Sequence, residues 1–260
     1  MIATRPLRVP AALAARRLLA DRAGLAVSLL FYLLVSTVLS GLWRAAAGES
    51  GDVVGYSAIA LTWYIFTTEA AIGALNARLI EEVGDDIVSG SVSVELLRPA
   101  AVVGVRLATT TGRSLARLAP LFAVGIPAAW ALSGPPPSWP ALALAVPSLV
   151  LAVAVNVALQ HAAAAASFWL RDSRSAWFIY QKLVFILGGM LLPLQVLPDA
   201  VFAVAIRSPF AAMAYAPGRI ASGHFEPELL LMQAGWLAVT TAFAISMFAA
   251  GQRRLQVVGG

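Results

Sequence analysis

The densest group of ionisable side chains lies between the second and third apolar stretches of the sequence. Its four acids form two pairs spaced four residues apart, Glu81 with Asp85 and Glu82 with Asp86. On a helix the members of each pair lie one turn apart on the same side, where like charges repel by about 0.2–0.5 kcal/mol. Only Arg78 is near enough in sequence to offset this repulsion. The segment therefore predicts a helix with an acidic face.

The same helix would carry an apolar stripe between its acids. The stripe consists of Ile80, Val83, Ile87 and Val88. An apolar stripe beside an acidic face predicts a cytoplasmic helix that is offered to a partner protein. The alternative is a solvated amphipathic loop on the lipid headgroups, which is less favourable for acids on an anionic leaflet.

Three further polar residues fall inside apolar stretches. An acid within a membrane span marks a functional site by default, so Glu69 is a candidate for ion coupling and for a place on the translocation path. A hydrogen bond to a neighbouring or facing side chain is the alternative. Asn156 and Gln160 are one helical turn apart and share a face. They predict either a polar line along a translocation path or hydrogen bonds between packed helices.

The elements that must position these residues are membrane helices. Between Arg117 and Arg171 no Asp, Glu, Lys or Arg occurs, and residues 134–140, GPPPSWP, interrupt the run with a segment that cannot continue a helix. Such a run is long enough to cross a bilayer twice. Six spans can be drawn along the chain: Ala23–Trp43, Val54–Asn76, Leu115–Leu132, Ala141–Leu170, Ser175–Leu197 and Leu229–Ala250. Backbone groups in lipid must be satisfied within each span, so we expect an all-α integral membrane protein with a single transmembrane domain over residues 1–260.

Composition supports this class and excludes others. Hydrophobic residues make up 60% of the chain and charged residues 12%, against about 45–50% and about 25% in soluble proteins. The basic residues flank apolar spans instead of forming one patch, so no nucleic-acid partner is expected. The absence of cysteine excludes disulfides and thiolate chemistry. The single lysine, Lys182, is not in a Gly-Lys-Ser/Thr loop, so we predict that this chain does not hydrolyse ATP alone. No catalytic residue is predicted, and no metal site is predicted because His161 and His224 lie far apart in sequence.

The arginines predict the orientation. With the N-terminus in the cytoplasm, 15 of the 18 basic residues lie inside, and only Arg44, Arg207 and Arg219 lie outside. Six spans then place both termini in the cytoplasm. Residues 77–114 form a long inner loop, whereas the outer segment 198–228 contains short apolar pieces bounded by Pro and Gly, which predict re-entrant or interfacial helices.

Several segments, in this order, resemble a known family. They are residues 86–99 (DIVSGSVSVELLRP), Phe168-Trp169, residues 192–198 (LPLQVLP), Ser208-Pro209-Phe210 and Tyr215-Ala216-Pro217. The chain resembles a permease subunit of an ABC-2 type ABC transporter, in the branch of small bacterial six-span permeases. Relatives of this kind mostly export lipids, glycans, drugs or peptides, so the resemblance implies an exporter in the bacterial plasma membrane.

The resemblance also implies partners. A second permease, homologous or identical, would join two copies of a separate subunit that binds ATP and Mg. Within residues 1–22, Leu7–Asp21 would be an amphipathic helix on the inner leaflet, residues 77–114 would hold the coupling helix, and residues 198–228 would form outer re-entrant helices. The residues expected to couple to the ATP-binding subunit are Glu81, Glu82, Asp85, Asp86, Ile87, Gly90, Glu95, Leu96, Leu97 and Arg98.

Two other classes compete with this interpretation. A secondary transporter or channel would use Glu69 as its ion-coupling residue, and a membrane scaffold would transport nothing. If ATP supplies the energy, Glu69→Gln leaves transport largely intact. A neighbouring gene for an ATPase with a phosphate-binding loop would favour the ABC transporter.

Overall fold

The computed structural model describes residues 21–48, 51–91, 99–170 and 173–258, and these residues are mostly helical. In chain order the elements are α1 Arg22–Ala47, β1 Asp52–Val53, β2 Tyr56–Ser57, α2 Ala58–Gly73, α3 Leu79–Val88, α4 Pro99–Ser133, α5 Trp139–Ala165, α6 Ser167–Leu170, α7 Ser173–Leu187, a 3₁₀ turn Leu194–Val196, α8 Asp199–Ala205, α9 Pro209–Met213, α10 Tyr215–Ala221 and α11 Pro227–Val258. The two strands form a small antiparallel hairpin. The amphipathic helix expected over Leu7–Asp21 lies outside the described residues except for Asp21, which caps α1.

Four helical segments in the described part of the chain are long and apolar enough to cross a membrane. They are Arg22–Ala47, Val103–Ser133, Trp139–Leu170 and Pro227–Arg254, of 26 to 32 residues. At about 1.5 Å per residue, 26 residues rise about 39 Å, which exceeds a hydrocarbon core of about 30 Å. They coincide with predicted spans 1, 3, 4 and 6, so the expectation of an all-α membrane protein is confirmed.

The helices in the other two predicted spans are shorter. Helix α2 has 16 residues and α7 has 15. Each rises only about 24 Å or less, so neither meets the length of a full span by itself. In α2 the residues from Ala60 to Ala71 are all buried, so this helix lies inside the bundle. The six-span drawing therefore stays a prediction.

The fifth apolar stretch is not one continuous helix. Helix α7 ends at Leu187, and Gly189 follows with φ +68°, a left-handed conformation that glycine adopts without strain. The carbonyl groups after the break accept hydrogen bonds from neighbouring helices: Gly189 from Tyr64, Met190 from Thr68 at 3.3 Å, and Leu191 from Trp43 at 2.9 Å. A break among apolar residues is tolerated because α1 and α2 supply these donors.

The expected inner loop 77–114 is largely helical. Helix α3 occupies its first part, and α4 begins at Pro99 instead of at Leu115. Proline suits the first turn of a helix because its missing N–H has no partner there in any case. Helix α4 therefore extends well beyond the apolar part of the third span.

The outer segment 198–228 contains three short helices, α8 to α10, of five to seven residues each. None can cross a bilayer alone. Residues 210–218 are buried, and α9 and α10 pack against the long helix α5. Short buried helices agree with the pieces expected here, whereas their location on the outer side stays a prediction.

Helix α5 is the centre of the bundle and contacts α3, α4, α9, α10 and α11. Its alanines at 162, 164 and 165 are buried and permit close helix packing. A buried polar clamp joins it to two neighbours: Ser148 Oγ donates to Gln233 Oε1 at 2.8 Å, and Gln233 Nε2 donates to the carbonyls of Ser148 at 3.0 Å and Ala212 at 2.8 Å. Satisfied polar groups of this kind fix the relative positions of α5, α9 and α11.

Candidate functional site

A cavity of about 510 Å³ lies among α1, α2, α5 and α7, next to the start of α3. Most of its wall is apolar, with aromatic side chains from Phe31, Trp177, Tyr180 and Phe185. Its polar wall residues are Glu69, Asn76, Asn156, Gln160 and Gln181, together with the Tyr180 hydroxyl. Pockets of about 300–1,000 Å³ with apolar walls and few polar groups are typical of small-molecule sites.

All three residues predicted for the translocation path line this cavity. Asn156 and Gln160 are 1% and 5% exposed, and Gln160 Nε2 donates to Asn156 Oδ1 at 2.7 Å. Tyr180 Oη donates to the same Oδ1 at 2.5 Å. The amides are therefore hydrogen-bonded within the bundle and also face the cavity, so both interpretations from the sequence remain open. Tyr180 was not predicted, because no local spacing links it to α5.

The carboxyl group of Glu69 lies in the same wall. Its residue is 9% exposed, and in the described part of the chain Oε1 has no hydrogen-bond partner. The sequence allowed a bond to Thr68, but Thr68 Oγ1 donates to the carbonyls of Ile65 at 3.0 Å and Met190 at 3.3 Å instead. The structure thus leaves a buried carboxyl oxygen beside an apolar cavity.

Helix α3 has one face against its own chain. Leu79, Ile80, Val83 and Ile87 are at most 5% exposed and pack with Ala164, Ala165, Phe168 and Phe248 of the helices behind them. Val88 is 51% exposed. Three of the four stripe residues therefore bury their side chains in this chain, and Ile87, expected at the partner surface, is one of them.

The acids of α3 point away from that buried face. Glu82 and Asp85 are exposed, and Glu81 and Asp86 are partly exposed. Asp86 pairs with Arg106 of α4 at 3.0 Å, so an arginine distant in sequence offsets part of the acidic charge. Gly90 follows the helix with φ +77°. The other expected coupling residues, Glu95, Leu96, Leu97 and Arg98, lie outside the described residues.

Helix α3 is connected to the cavity. Ile80 belongs both to the buried face of α3 and to the cavity wall. Trp177 Nε1 of α7 donates to the carbonyl of Ala77 at 2.8 Å, which joins the segment before α3 to another wall helix. A displacement of α3 therefore moves residues of the cavity wall.

A second polar cluster lies at the end of the hairpin, on the segment expected outside. Arg219 donates to Tyr56 Oη at 2.8 Å and to Glu226 Oε1 at 2.9 Å. The His224 ring lies 4.8 Å from the Tyr56 ring, centroid to centroid. Burial lowers the pKa of His224, and the Arg219 charge lowers it further. The sequence predicted that Arg219 lies outside. It did not predict its partners, because Tyr56 is 163 residues away in the chain.

The fold and the site define a helical membrane protein, with four candidate spans and a cavity among its helices. Residues 32–259 match the family described as ABC-2 family transporter protein. This match covers most of the chain, so the protein belongs to the ABC-2 family of transporters, as its sequence resemblance predicted. Proteins of this family are membrane subunits for transport. No curated protein matches the chain.

Proposed function

We propose that this chain is the permease subunit of an ABC exporter in a bacterial plasma membrane, with both termini in the cytoplasm. Two copies of a separate subunit bind ATP and Mg, and a second permease, homologous or identical, completes the pore. ATP binding moves the partner subunits, and helix α3 receives that movement. Family membership and the basic residues on the expected inner side support this proposal.

The main observation in support of this proposal is that α3 has an acidic side and a buried apolar side. On its acidic side Glu82 and Asp85 are exposed, whereas Ile80 on its buried side forms part of the cavity wall. A force on the acidic side passes through packed side chains, which have little free volume in which to absorb it. The cavity then changes shape when the partner subunits close.

Two neighbouring features suit alternating access. The broken segment after Leu187 is held by hydrogen bonds from side chains, which can exchange partners without unfolding a helix. The Arg219 cluster joins the hairpin to α10 and to the segment before α11, which are expected on the outer side. We assign the break as the hinge and the cluster as the outer gate.

The second candidate function is a secondary transporter, and the unpartnered oxygen of Glu69 favours it. In that case a proton or another cation on Glu69 would couple to substrate movement. The two functions differ in their energy source. The test uses membrane vesicles that are supplied with ATP and whose proton gradient has been collapsed. Continued transport under these conditions supports the ABC exporter.

The partner is tested by purifying the tagged chain from its own membranes and identifying co-eluting ATPases. Val88→Asp places a charge on the exposed end of α3, where interface contacts are expected to matter more than solvated charges. We expect it to reduce the recovered ATPase at least fivefold. Val54→Asp is the matched control, since Val54 is 48% exposed in the hairpin turn, where φ is +47°.

If neither the wild type nor the control retains an ATPase, the proposed function is wrong. If Val88→Asp inserts in the membrane and retains a full amount of ATPase, helix α3 is not the coupling element. Both results are independent of the substrate.

A further inference from the structure

The cavity contains one charged side chain among the residues that line it in the described part of the chain, and this is Glu69. A buried carboxylate without a partner is costly, and such groups normally pair or lose their charge. Within the described residues Oε1 has neither a hydrogen-bond donor nor a basic partner. A cation in the cavity would offset the negative charge of the ionised form of Glu69, which lines the wall.

Two basic side chains of the described residues, Lys182 and Arg117, lie near the cavity but are not part of its wall. Lys182 follows the cavity residue Gln181, but it is exposed, and its Nζ lies 5.2 Å from the centroid of the Phe178 ring. Arg117 donates to the carbonyl of Leu75 at 3.2 Å and is not among the wall residues. Among the described residues, the wall therefore contains one carboxyl group and no basic side chain.

The remaining wall indicates the rest of the ligand. Aromatic side chains attract cations through their ring faces, and four of them lie in this wall: Phe31, Trp177, Tyr180 and Phe185. The amide groups of Asn156 and Gln160 are already joined to each other, so they place only a weak demand on the ligand for hydrogen bonds. A volume of about 510 Å³ suits a molecule of drug size.

We propose that the cavity binds amphiphilic organic cations, with Glu69 as the counter-ion and the aromatic wall around the apolar body. This inference deepens the proposed function, on which it rests for the export step. It assigns Glu69 to substrate selection and leaves the supply of energy to ATP. Loss of Glu69 then removes cations from the set of substrates and leaves neutral apolar molecules in it. The expectation from the sequence, that Glu69→Gln leaves transport largely intact, is thereby restricted to neutral substrates.

The test is equilibrium binding to the full chain purified in detergent. The probes are tetraphenylphosphonium, a permanent cation with an apolar body, and triphenylphosphine oxide, a neutral molecule of similar chemistry. We expect the wild type to bind the cation, and Glu69→Gln to bind it at least tenfold more weakly, with less than threefold change for the neutral probe. Glu228→Gln at the start of α11 is the control, and we expect it to bind both probes as the wild type does.

A second variant covers the possibility that Glu69→Gln disturbs folding. Glu69→Asp keeps the charge, so we expect it to retain a preference for the cationic probe, and thermal unfolding of each variant reports its fold. Equal binding of the cation to wild type and Glu69→Gln overturns the proposal. If Glu69→Gln binds the cation as the wild type does but no longer transports, the proposal is also overturned, because that combination is expected of an ion-coupling residue. Binding is measured without ATP or a partner, so its failure is distinguishable from failure of the proposed function.

Discussion

Two adjacent residues of α3 give the most direct test of how this helix is oriented. Ile87 is 3% exposed and packs inside the chain, whereas Val88 is 51% exposed. Each is replaced by alanine in a separate variant. Alanine favours a helix slightly more than either β-branched residue, and this gain is similar at both positions. The difference between the two variants therefore reports burial.

Burial sets the expected magnitude. Truncation of a buried Ile to Ala costs about 2–5 kcal/mol, through lost transfer free energy and the cavity left behind. Helix α3 has only 10 residues, so its neighbours can partly close the gap, and we expect about 2–4 kcal/mol for Ile87→Ala. An exposed position away from special features changes stability by about 0.5 kcal/mol or less, which is our expectation for Val88→Ala.

The assay is thermal unfolding of both variants in detergent, followed by size-exclusion chromatography. A loss of 1 kcal/mol lowers the midpoint by about 2–4 °C in a chain near this size, so Ile87→Ala should fall by about 4–16 °C and Val88→Ala by about 2 °C or less. Equal midpoints would refute the burial of Ile87. Because Ile87 supports the fold, weaker partner binding by an Ile87 variant would reflect a displaced helix, and Val88 is the informative position for docking.

Two further predictions concern the opposite sides of the bundle. Since the chain has no cysteine, single cysteines report topology: Ser138→Cys should react with an impermeant thiol reagent from outside and Ser89→Cys should not, and the reverse labelling would contradict the orientation. Arg219→Gln removes the charged donor to Tyr56, so it should cost about 1–3 kcal/mol. Arg207 lies in the turn after α8 and donates to the Ala203 carbonyl at an exposed site, so Arg207→Gln should cost about 0.5 kcal/mol or less. Equal thermal unfolding midpoints for these two variants would show that the Arg219 cluster does not stabilise the bundle.

Much of the candidate site could be predicted from the spacing of residues in the sequence. Asn156 and Gln160 share a face because they are four residues apart, and Glu69 was notable as an acid in an apolar stretch. The sequence did not predict that these residues line one cavity together with Tyr180, because that arrangement depends on how α2, α5 and α7 pack. Periodicity describes one helix at a time and does not state which helix lies opposite.

The apolar stripe of α3 shows the same limit. Sequence spacing predicts that Ile80, Val83 and Ile87 lie on one side of a helix, and this is observed. It does not predict what covers that side, and here the cover is the protein's own bundle instead of a partner. An apolar face requires burial in either case, because the free energy depends on the area removed from water and not on its source.

By itself, the sequence determined the class of this protein. The charge-free run between Arg117 and Arg171 and the proline-rich turn within it specify membrane helices, because ionised side chains and unpaired backbone groups are costly in lipid. Only the tertiary structure decided where α7 ends and what surrounds Glu69. The break after Leu187 is stable because Trp43, Tyr64 and Thr68 of other helices donate to its carbonyls, and such donors are identified only when the helices are packed together.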